Sequence, residues 1–434
     1  MKWLLGSILL LAVGLVFQLG LLVYSMYVLL GVMAVSRYLS RQWLENASAD
    51  RECSRLTAEI GEQVAVVVKI RNRGRLPIPW VLVEDSLPKQ ALLQLPPRIR
   101  VHNRRFGVMQ LGRQSKTLLY KVEFLMRGYY QIGPLMLETG DLFGLHRRYK
   151  VVTDPHFILV YPKVVPLDGY DLASRRPIGE VRITHRLFED PTRISGVRLY
   201  QNGDPLNRVH WRATARTGEL HCKTFEPSSV AGATILLDFH TDRYRAQAEP
   251  HCSELAVTAA ASLANTVYRL GQQIGFFTNG RDAVDRIVQE GWKHEFHSRD
   301  TARDNIGMRE QSDRLNPVIV ETRRGAGQLS QILETLARVE LTDGFTFAQL
   351  VMETASRLPR DATVVAVLSE VTVETAIVMG DLRRGGYAVS ALLVMPDDDT
   401  YAEHMGRLLA EGIAVRAIED ETSLAVFCSQ QMVS

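Results

Sequence analysis

No charged residue occurs between Trp3 and Ser36, a run of 34 residues. A single straight helix of that length would measure about 51 Å, whereas the hydrocarbon core of a bilayer is about 30 Å thick. Gln18 and Gly20 interrupt the apolar run near its middle. We therefore predict a transmembrane helical hairpin over residues 1–36 that turns at this point. One tilted helix is the alternative, because each half of the hairpin is short for a membrane span.

The charges that flank this run predict its orientation. Lys2 lies on one side of it, and Arg37 and Arg41 lie on the other. Because the cytoplasmic flanks of membrane spans are enriched in lysine and arginine, positive charge on both sides predicts that both ends of the hairpin face the cytoplasm. A cleaved signal peptide is the alternative, but the apolar stretch is too long for one and no convincing cleavage site precedes Arg37.

Composition limits what the remaining residues can form. With 434 residues, of which 46% are apolar, the chain has room for two or three domains with cores of their own. A net charge of +3 is too small to predict polyanion binding by the whole molecule. The arginines of residues 175–216 form a locally basic region, but Asp and Glu residues are interspersed among them, so we expect internal ion pairs and no nucleic acid partner. The cysteines show no Cys-x-x-Cys spacing, which favours reduced thiols over a disulfide framework or a zinc site. They are Cys53, Cys222, Cys252 and Cys428.

Residues 37–50 form a polar segment that we interpret as a helical connector, in which Trp43 suits the membrane interface. The apolar pattern then changes to a period of two, as in the run from Val64 to Val68. Prolines and glycines separate further short runs of this kind. This pattern predicts a β-sandwich domain over residues 51–160.

Beyond residue 230, strand patterns alternate with helical patterns. The predicted strands cover residues 234–239, 273–278, 317–322, 363–368, 387–395 and 413–418. The predicted helices cover residues 254–270, 328–339, 347–358, 373–384 and 401–411. This alternation predicts an α/β domain over residues 231–434, with a mostly parallel sheet covered by helices on both faces. A polar, weakly periodic segment near 280–316 is interpreted as an insertion.

Residues 196–226 are rich in hydrogen-bonding side chains and show no clear apolar period, so they are not explained as core. This stretch resembles the signature of a bacterial membrane-protein family known as domain of unknown function 58. The matching residues are Arg198, Tyr200, Gly203, Asp204, Arg208, His210, Trp211, Thr214, Ala215, Arg216, Gly218 and Leu220. We define residues 161–230 as the signature region. The members of this set other than Ala215 and Leu220, together with Lys223, are its candidate interaction residues.

The resemblance implies an architecture and a role. It implies a multidomain protein of the bacterial cytoplasmic (inner) membrane: a transmembrane hairpin, a β-sandwich, and an α/β domain similar to von Willebrand factor A. Families of this kind are typically encoded beside MoxR-type AAA+ ATPases and other von Willebrand factor A proteins. The implied function is that of a non-catalytic adaptor or assembly factor, with these proteins as partners and the soluble domains on the cytoplasmic side.

A metal site is the second expectation that this resemblance raises. In von Willebrand factor A domains the first strand ends in Asp-x-Ser-x-Ser, whereas this chain has Asp238, then His240 and Asp242 at the serine positions. Asp238 and Asp242 could still supply the oxygen ligands that magnesium requires, with Thr278 beyond a second strand. We favour the alternative, a degenerate edge that serves as a docking surface, and therefore expect no cofactor.

The runner-up function is a metal-dependent or hydrolytic enzyme that uses Asp238 or His210. His210 lies near the hydroxyl of Thr214 in sequence, as a base lies near a nucleophile. The chain has no Gly-x-Ser-x-Gly elbow, no Walker loop and no His-Glu-x-x-His motif. We therefore predict no catalytic residue. A structural histidine explains His210 more simply.

Two structural interpretations of the signature remain open. The pair Gly203 and Asp204 is typical of a turn, and Asp204 could form ion pairs with Arg208 or Arg216 in a buried polar network. Alternatively, the same side chains are exposed and form a recognition surface.

The flanking charges lead to a topology prediction. We expect alkaline phosphatase fused after Asp50 to be inactive and a fluorescent protein fused there to be bright, because both report a cytoplasmic location. An active phosphatase fusion would place all later residues on the other side of the membrane and would contradict the hairpin.

Overall fold

The computed structural model describes residues 2–103, 105–141, 144, 146–167, 189–199, 209–227, 232–284, 316–360, 362–395 and 398–426. Within these ranges the chain forms two compact units. Unit 1 contains residues up to 163 together with 282–284 and 333–339, and unit 2 contains 164–281, 316–332 and 340–426.

Two apolar helices begin the chain, α1 (Lys2–Val16) and α2 (Gly20–Asn46), and they pack against each other. The break between them falls inside the predicted turn, where Gln18 adopts a φ of 52°. Of the helices in the described ranges, α2 is the one long and apolar enough to cross a membrane, and α1 adds the shorter apolar segment Gly6–Val16. The chain therefore has an N-terminal apolar helix that suits a membrane by its length and composition.

Short strands follow the two helices. They are β1 (Ala47–Cys53), β2 (Thr57–Glu59), β3 (Gln63–Asn72), β4 (Ile78–Asp85), β5 (Ile99–His102), β6 (Arg105–Leu111), β7 (Lys116–Phe124), β8 (Gly128–Ile132), β9 (Leu135–Gly140), β10 (Arg147–Thr153) and β11 (His156–Tyr161), with the short helix α3 (Lys89–Leu93) after β4. They form sheets with the strand orders β1-β3-β7-β5, β10-β9-β4-β6 and β2-β11-β8. Paired strands are antiparallel except β2 and β11. The arrangement is β-sandwich-like.

Alternating burial builds the core of this sandwich. In β3, Val64, Val66, Val68 and Ile70 are buried, whereas the residues between them are partly exposed. These side chains belong to one apolar cluster with Phe124 of β7. Because each such side chain stabilises the fold by roughly 1.5–3 kcal/mol when fully buried, the period-two pattern has a direct energetic cause.

Helix α2 extends beyond the predicted membrane segment. The sequence predicted a separate connector at 37–50, but α2 continues to Asn46 and β1 begins at Ala47. One face of its C-terminal half is buried, at Met33, Ser36, Ser40 and Trp43. This face packs on β1, β9 and β10, and Trp43 belongs to the sandwich core. Tertiary packing therefore keeps the polar segment helical and joins the apolar helix directly to the sandwich.

A buried ion pair lies inside the sandwich. Arg51 donates to one carboxylate oxygen of Asp85, and both side chains are almost completely shielded from water. The hydroxyl of Tyr120 donates to the other oxygen, and the second terminal nitrogen of Arg51 donates to the carbonyl of Asp154. Burial and the neighbouring carboxylate raise the pKa of Tyr120 far above its ordinary value. Gly133 has a φ of 95°, and a Cβ there would lie 2.1 Å from the Arg51 guanidinium, so only glycine fits.

Unit 2 supplies most of the remaining elements. They are β12 (Glu189–Leu199), α4 (Trp211–Thr217), β13 (His221–Pro227), β14 (Gly232–Leu237), α5 (His251–Arg269), β15 (Gln273–Thr278), β16 (Arg281–Asp282), β17 (Val318–Arg323), α6 (Gln328–Arg338), β18 (Val339–Glu340), α7 (Phe347–Thr354), β19 (Thr363–Leu368), α8 (Val373–Arg384), β20 (Ala388–Val394), α9 (Asp398–Ala410), β21 (Ala414–Ile418) and α10 (Glu421–Val426). Of the predicted insertion, residues 285–315 lie outside the described ranges.

The central sheet of unit 2 has the strand order β17-β15-β14-β19-β20-β21. Five strands are parallel, and β17 is antiparallel to β15, so the sheet is mixed. All residues of β14 are buried, and α5 is buried along most of its length. This explains why the strand reads as a continuous apolar run instead of an alternating one.

Arg127 fixes a helix end within unit 1. Its guanidinium is buried and donates to the carbonyls of Leu336 (2.9 Å) and Val339 (2.8 Å), at the C-terminal end of α6. The hydroxyl of Tyr130 donates to the carbonyl of Arg127 at 3.1 Å. A cation at this end satisfies carbonyls that the helix leaves without partners and opposes the negative end of its dipole.

The buried ion pair leads to a stability prediction. We expect Asp85→Ala to lower the free energy of unfolding by about 3–5 kcal/mol, because it leaves the Arg51 guanidinium buried without its counter-charge. The double variant Arg51→Met with Asp85→Ala should lose clearly less than the sum of the two single losses. Urea unfolding of the detergent-solubilised chain measures both effects.

The exposed pair of Lys69 and Glu52, with N and O atoms 3.0 Å apart, provides the control. Lys69→Ala should change stability by less than about 1 kcal/mol, because solvent screens this pair. Equal losses for Asp85→Ala and Lys69→Ala would show that burial does not set the strength of the inner pair.

Candidate functional site

The strand order defines where a ligand of unit 2 would bind. The chain adds β15 and β17 on one side of β14, and then adds β19, β20 and β21 on the other. Ligands of open α/β sheets bind beyond the carboxyl ends of the strands, at the point where the strand order reverses. In this sheet that point lies between β14 and β19. Asp238, Asn279 and Ser369 follow the carboxyl ends of β14, β15 and β19.

Asp238 is a buried carboxyl group at this point, with 1% of its surface exposed. Its Oδ1 atom accepts hydrogen bonds from Nδ2 of Asn279 (2.8 Å) and from the backbone N–H of His240 (3.3 Å). Its Oδ2 atom is buried without a hydrogen-bond partner among the described residues. Burial raises the pKa of Asp238, and the hydrogen bond from Asn279 only partly opposes this shift.

Asn279 joins the surrounding segments and was missed by the sequence analysis. Its Oδ1 atom accepts from the N–H of Phe239 at 2.6 Å, and its Nδ2 atom also donates to the carbonyl of Phe345 at 2.8 Å. The signal in the sequence was an Asn-Gly pair after a strand, which is typical of a turn. Thr278, which we had singled out, is buried, and its hydroxyl accepts from the N–H of Gly280 at 3.0 Å.

The two predicted metal ligands lie in different environments. The side chain of Asp242 is 77% exposed, in the short 3-10 turn Thr241–Arg243, whereas Asp238 is buried. Nδ1 of His240 accepts from the N–H of Asp242 at 3.3 Å. Among the described residues, no three His, Cys, Asp or Glu side chains are grouped as a metal site would require. The magnesium site therefore stays a prediction, which a titration of Asp238 can test.

Other side chains pack around the end of β14. The hydroxyl of Tyr244 donates to the carbonyl of Asp238 at 2.7 Å, and its ring packs edge-on against Phe239. Nη1 of Arg243 lies 3.8 Å from a carboxylate oxygen of Glu370, which belongs to the loop after β19. The chain's own polar groups and rings therefore fill much of the strand ends.

Cys252 adds a buried thiol to this region. Its Sγ atom lies 3.3 Å from Oγ of Ser369. Burial raises the pKa of the thiol, so the group favours the neutral form, which is a poor nucleophile. This contact is structural in character.

The signature residues are described in part. Tyr200, Gly203, Asp204 and Arg208 lie outside the described residues, as do the side chains of Arg198 and Lys223. The described segments β12, α4 and β13, with 209–210 and 218–220, form what we call the signature module: an antiparallel strand pair with a short helix packed on β13.

Several signature side chains hold this module together. Nδ1 of His210 accepts from the N–H of Ala213 at 3.0 Å and so caps the start of α4. The hydroxyl of Thr214 accepts from the N–H of His221 at 3.1 Å, which ties α4 to β13. Gly218 has a φ of 78° and ends α4 in the left-handed conformation that glycine favours.

This geometry bears on the catalytic alternative. His210 is the helix cap, and Thr214 bonds to a backbone amide. The backbone N–H of Thr214 donates to the carbonyl of His210 at 3.1 Å, but within the described ranges the imidazole and the Thr214 hydroxyl bond to other groups and not to each other, which does not favour a base and nucleophile pair. The module shows what a structural histidine does: it satisfies an N–H group that the start of a helix leaves free.

A second set of side chains in the module is exposed. Trp211 is 69% exposed, and Arg212 and Arg216 of the same helix are exposed beside it. The apolar side chains of Val197, Leu199 and Leu220 are exposed as well. Arg216 forms no ion pair with the residues that the structure describes, so on this side of the module the arginine faces solvent.

Residues 196–299 match the family model described as "Protein of unknown function DUF58". Uncharacterized protein YeaD of Bacillus subtilis strain 168 is 24% identical over 276 residues, which cover 63% of this chain and 66% of that protein. The alignment thus spans just under two thirds of the relative.

Among solved structures, the CARDB domain of the PF1109 protein from Pyrococcus furiosus is 11% identical and covers 26% of this chain and 91% of that chain, with a TM-score of 0.19. A cohesin module from a Clostridium perfringens family 33 glycoside hydrolase is also 11% identical and covers 26% of this chain and 96% of that chain, with a TM-score of 0.20.

The burial of Asp238 leads to a pH prediction. The pKa of Asp238 is higher in the folded state than in the unfolded state, where it is about 3.9. The contribution of the protonated carboxyl group to the free energy of unfolding is therefore complete below about pH 3.9 and is lost as pH rises through the folded-state pKa. Asn at this position mimics the protonated acid at every pH. We therefore expect the melting temperature of Asp238→Asn, relative to wild type, to increase as pH is raised from about 4 to about 8.

Asp242→Asn is the matched control, and its melting temperature should follow that of wild type because the side chain is exposed. Millimolar magnesium tests the competing site in the same assay. A magnesium-dependent rise in the melting temperature of wild type that disappears in Asp238→Asn would mean that Asp238 is an ionised metal ligand.

Proposed function

We propose that this chain, whose residues 196–299 match the DUF58 family model, is a membrane-anchored, non-catalytic adaptor or assembly factor. In this proposal it acts through protein–protein contacts with a MoxR-type AAA+ ATPase and with other von Willebrand factor A proteins. One observation carries the proposal: Trp211 is 69% exposed beside two exposed arginines, on a short helix that His210, Thr214 and Gly218 hold in place.

An exposed tryptophan beside arginine is typical of a protein-binding surface. Tryptophan and arginine are the residue types most enriched among those that dominate binding energy at interfaces. Among the described contacts, His210, Thr214 and Gly218 supply the cap, the tie to β13 and the helix end, and neither the ring of Trp211 nor the arginine side chains take part in them. A binding role explains both exposed groups.

The proposal includes a von Willebrand factor A-like fold for unit 2. Two features support it. When the six strands of the central sheet are numbered in chain order, their order across the sheet is 3-2-1-4-5-6, and the third strand, β17, is antiparallel to its neighbour. A carboxylate, Asp238, follows the first strand. These features also fit other open α/β sheets, so they support this fold as part of the proposal and no more.

The proposed location is the bacterial cytoplasmic membrane, with both soluble units in the cytoplasm. The length and composition of α2 support an anchor. Lys2, Arg37 and Arg41 support the side, because they flank the apolar run at both ends. A cytoplasmic ATPase would then have access to the signature module.

The runner-up is a metal-dependent or hydrolytic enzyme that uses Asp238 or His210. The hydrogen bonds of both groups count against it. Oδ1 of Asp238 is held by an amide nitrogen and a backbone N–H, which compete with a cation for the same lone pairs. Nδ1 of His210 is held by the helix cap. The adaptor therefore explains more of the described side chains.

Copurification tests the adaptor. We expect the full chain, solubilised in detergent from its own cells, to retain a AAA+ ATPase and to change its rate of ATP hydrolysis. Trp211→Ala should weaken this binding at least about tenfold, because the ring would be buried at the interface. Its melting temperature should match wild type, because most of the side chain is exposed.

Met352→Ala is the control, since Met352 is exposed on α7 of the same unit. It should bind the ATPase like wild type. Retention of the ATPase by Trp211→Ala, together with its loss in Asp238→Asn, would move the interaction from the signature module to the sheet edge.

A further inference from the structure

The exposed face of the signature module has a definite composition and layout. Within α4, Trp211 and Ala215 lie one turn apart, and Arg212 and Arg216 form the neighbouring row. All four positions are exposed. The helix therefore presents an apolar row and a basic row side by side.

The strand pair extends the apolar part of this face. Val197 and Leu199 lie on the same side of β12, because successive strand residues alternate. Arg198, between them, pairs in register with Cys222, and directly paired residues lie on the same face of a strand pair. Because Cys222 is buried, the face opposite to Val197 and Leu199 is the covered one. Val197 and Leu199 thus mark the open side.

The helix and the open side of the strands meet at His221. This residue pairs in register with Leu199, and its ring nitrogen Nδ1 lies 3.2 Å from the hydroxyl of Thr217, in the last turn of α4. The end of the helix and the exposed strand face are therefore neighbours, and Leu220 lies between them in the chain.

The charge of this face is positive. Residues 209–222 contain Arg212, Arg216 and one carboxylate, Glu219. Both arginines are exposed, and neither forms an ion pair with a described residue. Guanidinium forks bind carboxylates through two parallel hydrogen bonds. A complementary ligand needs carboxylates for the basic row and an apolar side chain for the row of Trp211.

We propose that this face binds an acidic peptide segment of a partner protein, with at least one large apolar side chain between its carboxylates. The inference rests on the proposed function, whose site it specifies further. A membrane surface fits less well, because lipid-binding basic segments carry clusters of about four to eight lysines or arginines, whereas this face has two arginines and one glutamate.

The test is a selection from a library of random 12-residue peptides displayed on phage, with the full chain held in detergent as the target. We expect the selected peptides to be enriched in Asp and Glu around Leu, Phe or Trp. A selected acidic peptide, made synthetically, should bind with a Kd that rises with salt, because screening weakens the ion pairs. Selection of neutral or basic peptides would overturn the proposal.

Charge reversal identifies the site. The variant Arg212→Glu with Arg216→Glu should weaken binding of the acidic peptide at least about tenfold, and Trp211→Ala should do the same. The control is Arg357→Glu with Arg360→Glu, which makes the same change in net charge at other exposed positions of unit 2. Equal loss in the control pair would reduce the effect to net charge and would overturn the assigned face.

Two competitors separate the other ligand classes. Phosphatidylglycerol vesicles and a single-stranded oligonucleotide should each leave the bound peptide in place. Displacement by either one at concentrations near the peptide's own Kd would assign the face to that ligand instead.

The same variants keep this inference separate from the proposed function. If the acidic peptide binds but no ATPase is recovered from cells, the proposed ATPase partner is contradicted and the acidic-peptide ligand is supported. An ATPase lost in Trp211→Ala but retained by Arg212→Glu with Arg216→Glu would keep the adaptor and overturn the acidic ligand.

Discussion

Strand β14 is buried on both faces and hydrogen-bonded on both sides, and the whole of the candidate sheet site depends on this burial. A strand in this position excludes water from its end, so Asp238 enters a place where a charge is costly. A buried carboxylate can be stabilised by a bound cation, by an oppositely charged side chain or by protonation. Asn279 supplies a hydrogen bond without charge, and burial raises the pKa of Asp238, so these contacts favour the protonated form.

Unit 1 meets the same constraint in a different way. Asp85 is as deeply buried as Asp238, but it faces the guanidinium of Arg51 and accepts a further bond from Tyr120. The charge of Asp85 is therefore compensated inside the sandwich, at the cost of a glycine at position 133 that leaves room for the guanidinium. Burial raises the pKa of both carboxyl groups, but Asp85 has a guanidinium within ion-pair distance that opposes this shift. Oδ1 of Asp238 instead accepts from uncharged donors, the Asn279 amide and the backbone N–H of His240, and this difference separates its chemistry from that of Asp85.

The sequence predicted unit 2 better than unit 1, for a physical reason. Buried parallel strands form continuous apolar runs, and β15, β19 and α8 have the predicted bounds. In the sandwich, the predicted run from Val64 to Val68 lies within β3, whereas β5 and β6, at sheet edges, show no regular alternation of burial that a period-two pattern could reveal. The sequence predicted that the connector is helical, but its continuity with the apolar helix depends on packing against β9 and β10, and Asn279 acts through residues distant in sequence. Contacts between distant residues leave no local pattern, so local periodicity could not show them.

The signature combines two kinds of residue that spacing alone could not separate. His210 and Gly218 begin and end a seven-residue helix, and an isolated helix of that length is unstable, so the cap and the tie to β13 are what keep it in place. Trp211 and Arg216 have no such task. The fold holds them in fixed positions on a helix while leaving them in water, which exposes a large apolar ring without any gain in stability. A partner that covers this ring would recover the hydrophobic free energy that folding leaves unused. The rigid scaffold of caps and ties would also lower the entropy cost of that contact, since the ring is already in position.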